Sequence, residues 1–143
     1  MYLVDTSVWI HALRPSGSPA IQTLLKPLIT NEETAITEWI LLELMTGLRT
    51  HEHQETLLRW LAPIPRLSFD LTWWEAAWSY AARLRKRGIS PSAADCLIAA
   101  VAIGHEVTLL HCDADFEAMT PAIPLRTQDW TVHVKPPFVS RRS

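Results

Sequence analysis

The sequence predicts an α/β protein: a parallel sheet of four to five strands sandwiched by helices. Two observations carry the prediction. Short apolar runs of strand length, such as Tyr2-Leu3-Val4 and Val107-Thr108-Leu109-Leu110, alternate along the chain with segments whose apolar residues recur every three or four positions. Carboxylates also stand at or near the ends of several of these runs, at the place where open parallel sheets build their sites.

The elements follow in order. Tyr2-Leu3-Val4-Asp5 reads as a short buried strand, and Thr6 or Ser7 can cap a helix carrying Val8, Trp9, Ile10 and Leu13. Pro15 to Pro19 make a loop, followed by a helix with Ile21, Leu24, Leu25 and Leu28. Thr34-Ala35-Ile36 is the second strand. Thr37 caps the next helix, which runs through Leu48 with Gly47 near its end. Glu52 to Leu61 is helical by its Leu57, Leu58 and Leu61 spacing, and Pro63 to Leu67 is a strand that its prolines confine to the sheet edge. Thr72-Trp73-Trp74-Glu75 fits a capping box opening a helix with Trp74, Ala77, Trp78, Ala81 and Leu84 inward, ended by Gly88. Ser90-Pro91 starts a helix to about Ile103. Val107 to Leu110 is a strand, Asp115 to Met119 a short helix, and Ile123 to Arg126 a final strand. The chain thus divides into a domain over residues 1–130 and an irregular tail over 131–143.

With 143 residues, 48% hydrophobic and 20% charged, the chain can fold around one sizeable core. A formal charge of -2 gives no strong basic field of the kind that announces nucleic acid. Should the acidic residues cluster around cations, however, the remaining surface is more basic than this total suggests. Cys96 and Cys112 form no CxxC pair and read as reduced core thiols; a zinc site using them with His105 or His111 lacks recognisable spacing. No apolar run approaches the roughly 20 residues of a membrane span, and the N-terminus opens on a strand rather than a signal peptide, so a cytoplasmic protein is expected.

Five carboxylates form the constellation that carries chemistry. Asp5 closes the first strand, Glu43 interrupts Trp39 to Leu42, Asp95 precedes Cys96 to Ala100, and Asp113 and Asp115 follow Val107 to Leu110. A carboxylate beside a buried segment is costly without a partner, and a bound cation is the usual one. Each has an ordinary structural use. Asp5 could be a helix cap, Asp113 a turn residue, Asp95 a favourable charge at a helix start, and Asp115 the start of the last helix. Glu38 competes with Glu43 but falls at a helix start.

Taken together, these segments resemble a known family. Val4-Asp5-Thr6-Ser7-Val8-Trp9, Leu42-Glu43-Leu44-Met45-Thr46-Gly47 followed by Arg49, Asp95-Cys96-Leu97-Ile98-Ala99-Ala100, and Leu109 to Phe116 are similar, in order and spacing, to the four acidic motifs of PIN-domain proteins. The small size and these versions of the motifs resemble the VapC toxins of bacterial and archaeal toxin–antitoxin pairs. The resemblance, which covers Tyr2 to about Arg126, implies a three-layer α/β/α fold and a metal-dependent ribonuclease. It puts Asp5, Glu43, Asp95 and Asp113 in the four acidic positions, with Asp115 in a fifth. Thr6 or Ser7 supplies a hydroxyl near the metal or its water, and Arg49 joins them as a substrate contact. It further implies Mg²⁺ or Mn²⁺ as cofactor, RNA as substrate, a VapB-type antitoxin as partner and a homodimer.

The chemistry agrees with these residue types. Phosphodiester cleavage needs a nucleophilic hydroxide near neutral pH and neutralisation of developing charge, which a hard divalent cation in oxygen ligands supplies. Arg83, Arg85, Lys86 and Arg87 are candidate RNA contacts, though cations are favoured at a helix end anyway. Trp9 could stack on a base, but core packing is the simpler reading. Trp73, Trp74 and Trp78 form an aromatic face for which core packing is the default and a homodimer or partner groove the alternative. His11, His105 and His111 stay unassigned. The competing function is a non-catalytic RNA-binding or scaffold module, against which the complete carboxylate set argues. An aspartyl phosphotransfer enzyme would want its motif after the first strand.

Overall fold

The computed structural model describes residues 1–134. Four parallel strands, β1 (Tyr2–Val4), β2 (Thr34–Ala35), β3 (Thr108–His111) and β4 (Thr127–Asp129), form one sheet in the order β2-β1-β3-β4. Leu3 is in register with Ala35 on one side and Leu109 on the other, and Leu109 pairs in turn with Thr127. Seven helices flank the sheet: α1 (Thr6–Leu13), α2 (Pro19–Thr30), α3 (Glu38–Thr46), α4 (His51–Leu61), α5 (Leu71–Lys86), α6 (Ala93–Gly104) and α7 (Ala114–Met119). The chain then makes a 3-10 turn over Thr131–His133, and the tail from Lys135 onward, expected to be irregular, lies outside the described residues.

Both faces of the sheet are covered. Leu3, Val4, Leu109 and Leu110 are fully buried, and α6 is buried from Cys96 to Ala102. Trp9 belongs to this core, with its indole Nε1 donating to the Val4 carbonyl at 3.0 Å. Helices α5 and α6 pack closely: a Cβ added at Gly104 would lie 1.9 Å from the Trp73 ring, so only glycine admits the indole here.

Several local expectations are corrected. Helix α1 is capped by Asp5, whose carboxylate accepts the Ser7 N–H, rather than by Thr6 or Ser7. Helix α5 starts at Leu71 under Asp70, ahead of the capping box at Thr72, because the Asp70 carboxylate takes the Thr72 N–H at 2.8 Å. Helix α6 starts under Ser92, not Ser90-Pro91, with the Ser92 hydroxyl accepting the Asp95 N–H. The strand expected over Pro63 to Leu67 shrinks to one bridge, Ile36 to Arg66, at the β2 edge. The last strand falls on polar Thr127–Asp129 rather than Ile123 to Arg126. Ile123 and Leu125 are buried in the turn after α7, and an edge strand needs only its backbone to pair with β3. On α5 the inward residues are Trp73, Ala77 and Leu84, while Trp74 and Trp78 are 43% and 63% exposed, against the expectation that they pack inside.

Candidate functional site

Because the strands run parallel, the turns after β1 and β3 open at the same edge of the sheet. Asp5 follows β1 directly and is 5% exposed. Its main-chain N–H donates to the Leu110 carbonyl at 2.9 Å, so the sheet ladder itself sets its height. The Ser7 hydroxyl donates to Asp5 Oδ2 at 2.6 Å and accepts the Cys112 N–H at 2.9 Å. One side-chain oxygen thereby joins the β1–α1 turn to the β3–α7 turn. Burial pushes the Asp5 carboxyl above its ordinary value, the Ser7 hydrogen bonds pull it back, and Asp113 adds a smaller upward push.

Glu43 stands on α3, about two turns in. The Thr6 hydroxyl donates to its Oε1 at 2.8 Å, which ties α1 to α3. Partial burial raises its carboxyl, with a further contribution from Asp5. The two adjacent hydroxyls, left open between Thr6 and Ser7 in the sequence, have separate tasks: Thr6 holds Glu43 and Ser7 holds Asp5.

The other three carboxylates converge. Asp95, Asp113 and Asp115 each offer an oxygen, and these atoms lie within 4.8 Å of one another. Asp95 is on the first turn of α6; Asp113 caps α7, with its Oδ1 accepting the Asp115 N–H at 2.9 Å. Asp113, for which the sequence offered a turn role, is thus a helix cap as well as a member of the cluster. Burial first, then the charges of Asp113, Asp5 and Asp115, push Asp95 up to about 6. Among the described residues no Lys or Arg forms an ion pair with any of the five acids; the pairs found are His51–Glu55, Arg66–Glu38 and His111–Glu117. Glu38, the competitor of Glu43, is thereby accounted for on the surface.

The remaining candidates sort by position. Arg49 is exposed in the turn after α3. Burial, with a smaller push from Asp95, raises the Cys96 thiol, and burial with Asp129 and Asp5 pushes Cys112 up to about 12. Neither cysteine nor any histidine joins the acidic cluster among the described residues. Sequence reasoning passed over Arg14. With Thr6 and Glu43 it lines a groove of about 200 Å³ between α1, α3 and α4, whose walls are otherwise mainly apolar, Leu48, Leu57 and Trp60 among them. Arg14 follows the end of α1, outside any periodic pattern, so only the fold reveals that it faces Glu43's groove.

The comparisons with known proteins agree with this geometry. The signature of the PIN domain family matches residues 2–120. The VapC ribonuclease Mb1587 of Mycobacterium bovis is 35% identical over 124 residues, spanning 83% of this chain and 91% of the relative, and ribonuclease VapC11 of Mycobacterium tuberculosis matches to the same extent. VapBC2 from Rickettsia felis, solved bound to a DNA fragment from its promoter, has a chain with TM-score 0.75 at 21% identity, covering 90% of this chain and 98% of that one. FitAcB from Neisseria gonorrhoeae has one with TM-score 0.69 at 22% identity, covering 90% and 97%. The four-strand parallel sheet, the order of the acidic segments and the extent of these matches lead to one conclusion: the chain belongs to the PIN domain family, among relatives named as VapC ribonucleases.

Proposed function

We propose that this protein is a metal-dependent endoribonuclease toxin, acting in the cytoplasm and restrained by a cognate VapB-type antitoxin. The observation that supports it most is the convergence of Asp95, Asp113 and Asp115, three carboxylates within 4.8 Å with no cationic side chain paired to them among the described residues. Like charges so close repel one another, which adds to the burial that raises the Asp95 carboxyl. An all-oxygen donor set suits a hard cation such as Mg²⁺ or Mn²⁺.

In this reading Asp95, Asp113 and Asp115 would hold the cation, with Asp5 and Glu43 completing the acidic set. A cation held there would supply a hydroxide near neutral pH and offset charge on the cleaved phosphate. The chain's own part is to hold the acids in place: Ser7 orients Asp5, Thr6 orients Glu43, and the cap on α7 orients Asp113. Arg49 is assigned to the RNA backbone. Residues 1–130 are assigned to the nuclease unit and 131–143 to a C-terminal tail. The groove bounded by Arg14 and Glu43 is suited to an apolar antitoxin segment that blocks entry to the acids. A second copy of the chain fits the exposed Leu71, Trp74 and Trp78 of α5. Among the described residues no helix is long and apolar enough to cross a membrane.

The test is incubation of the purified protein with total RNA and Mg²⁺ or Mn²⁺, beside Asp95→Asn and Asp113→Asn. Cleavage by the wild type alone, abolished by a chelator, is expected. Equal cleavage by all three proteins would rule out the site.

A further inference from the structure

We propose that His111 is a positioning residue of the nuclease site, holding Asp113 through its main chain without touching metal or RNA; the proposal rests on the nuclease reading above. His111 ends β3 and is the only buried histidine among the described residues. Both ring nitrogens are engaged. Nδ1 accepts the Asp113 N–H at 3.0 Å, and Nε2 lies 2.9 Å from Glu117 Oε1. A nitrogen that accepts an N–H carries no proton of its own, so the ring proton is on Nε2 and is donated to the Glu117 carboxylate. The two bonds select one neutral tautomer.

The surroundings fix the ring further. Phe116 packs against it with centroids 5.4 Å apart, and the His111 carbonyl accepts the Trp130 N–H at 2.8 Å. His111 is in β3 and Glu117 in α7, so the imidazole braces the turn that carries Asp113 and Asp115. Asp113 in turn caps Asp115, so a shift of one main-chain N–H displaces two of the three clustered carboxylates. Core filling would be met by an apolar ring; it does not call for an acceptor at one edge and a donor at the other. A buried ring lacking either partner would be costly. Partners behind the ligands hold metal sites together in this way.

The test compares His111→Asn with His111→Gln. Asparagine keeps an acceptor where Nδ1 stands and gives up Glu117; glutamine extends toward Glu117 and gives up the Asp113 N–H. Mn²⁺ binding to the purified protein, followed by calorimetry, is expected to weaken about tenfold in His111→Gln and to stay within about threefold of wild type in His111→Asn. Equal affinities in the two variants would overturn the role of His111. Should both variants fail to fold, ¹⁵N spectra of the wild-type imidazole without metal decide: an Nε2–H tautomer, retained in Glu117→Gln, supports the brace, and an Nδ1–H or doubly protonated ring overturns it. A wild type that neither binds Mn²⁺ nor cuts RNA would overturn the nuclease reading and this one with it. A wild type that does both while the Asn and Gln variants agree would overturn this one alone.

Discussion

Ser7 carries more of the site than its small side chain suggests. Its oxygen is a donor to the buried Asp5 and an acceptor for the Cys112 N–H. Ser7→Ala leaves the Cys112 N–H without its partner and Asp5 Oδ2 with only the main-chain N–H of residue 7, and a loss of about 1–3 kcal/mol is expected in chemical denaturation. Thr6→Val is isosteric and removes only the bond to Glu43, which is half-buried and can rehydrate, so its loss should stay near 1 kcal/mol or below. Reversal of that ranking would show that Ser7 is not the oxygen joining the two turns. Asp5 could be picked out beforehand because it ends an apolar run. The separate tasks of Thr6 and Ser7 could not, since they depend on which neighbouring hydroxyl faces β3 and which faces α3. Asp115 is a similar case: in sequence it is the easiest acid to explain as a helix start, yet the α7 turn brings it to Asp95.

At the scale of elements, helix ends and one close contact set the tolerances. Helix α2 ends with Glu32 at φ 57, a left-handed conformation that favours glycine. Glu32→Gly is expected to raise stability by up to about 1 kcal/mol, read as a higher melting temperature. Gly104→Ala acts oppositely: its methyl would enter the Trp73 ring, and a loss of about 1–3 kcal/mol is expected from forced repacking of α5 on α6. Element order and the parallel sheet were readable because strand-length and helical runs alternate so plainly. Exact starts were less so. Ser90-Pro91 and the Thr72 box are sound start signals that lost to Ser92 and Asp70, whose side chains accept N–H groups of the first turns of α6 and α5. Strand β4 carries no apolar signal at all, since as an edge strand it pairs through backbone and leaves Gln128 and Asp129 exposed.

For the whole molecule, the acidic edge is a built-in instability that a bound cation would relieve. Asp95 ionises at about 6 in the folded protein, against an ordinary value of 3.8. Between those values the folded state keeps a proton that the unfolded chain has lost, so stability is full below the lower value and falls as pH rises through the higher one. Without metal, Asp95→Asn should therefore melt higher than wild type at about pH 7.5 and like it at about pH 4. Saturating Mn²⁺ should raise the wild-type melting temperature at the higher pH and leave the variant nearly unchanged. Thermal melts at the two pH values, with and without Mn²⁺, check both statements; a variant that melts below wild type at high pH would contradict them. The Ser7–Cys112 contact has a consequence of another kind, because its partners are 105 positions apart. Strand β1 waits at the middle of the sheet for β3, which is made almost last, and two of the three clustered acids come after it. Until β3 is made, β1 lacks one of its two neighbours, so the sheet edge that carries both Asp5 and Asp113 cannot assemble.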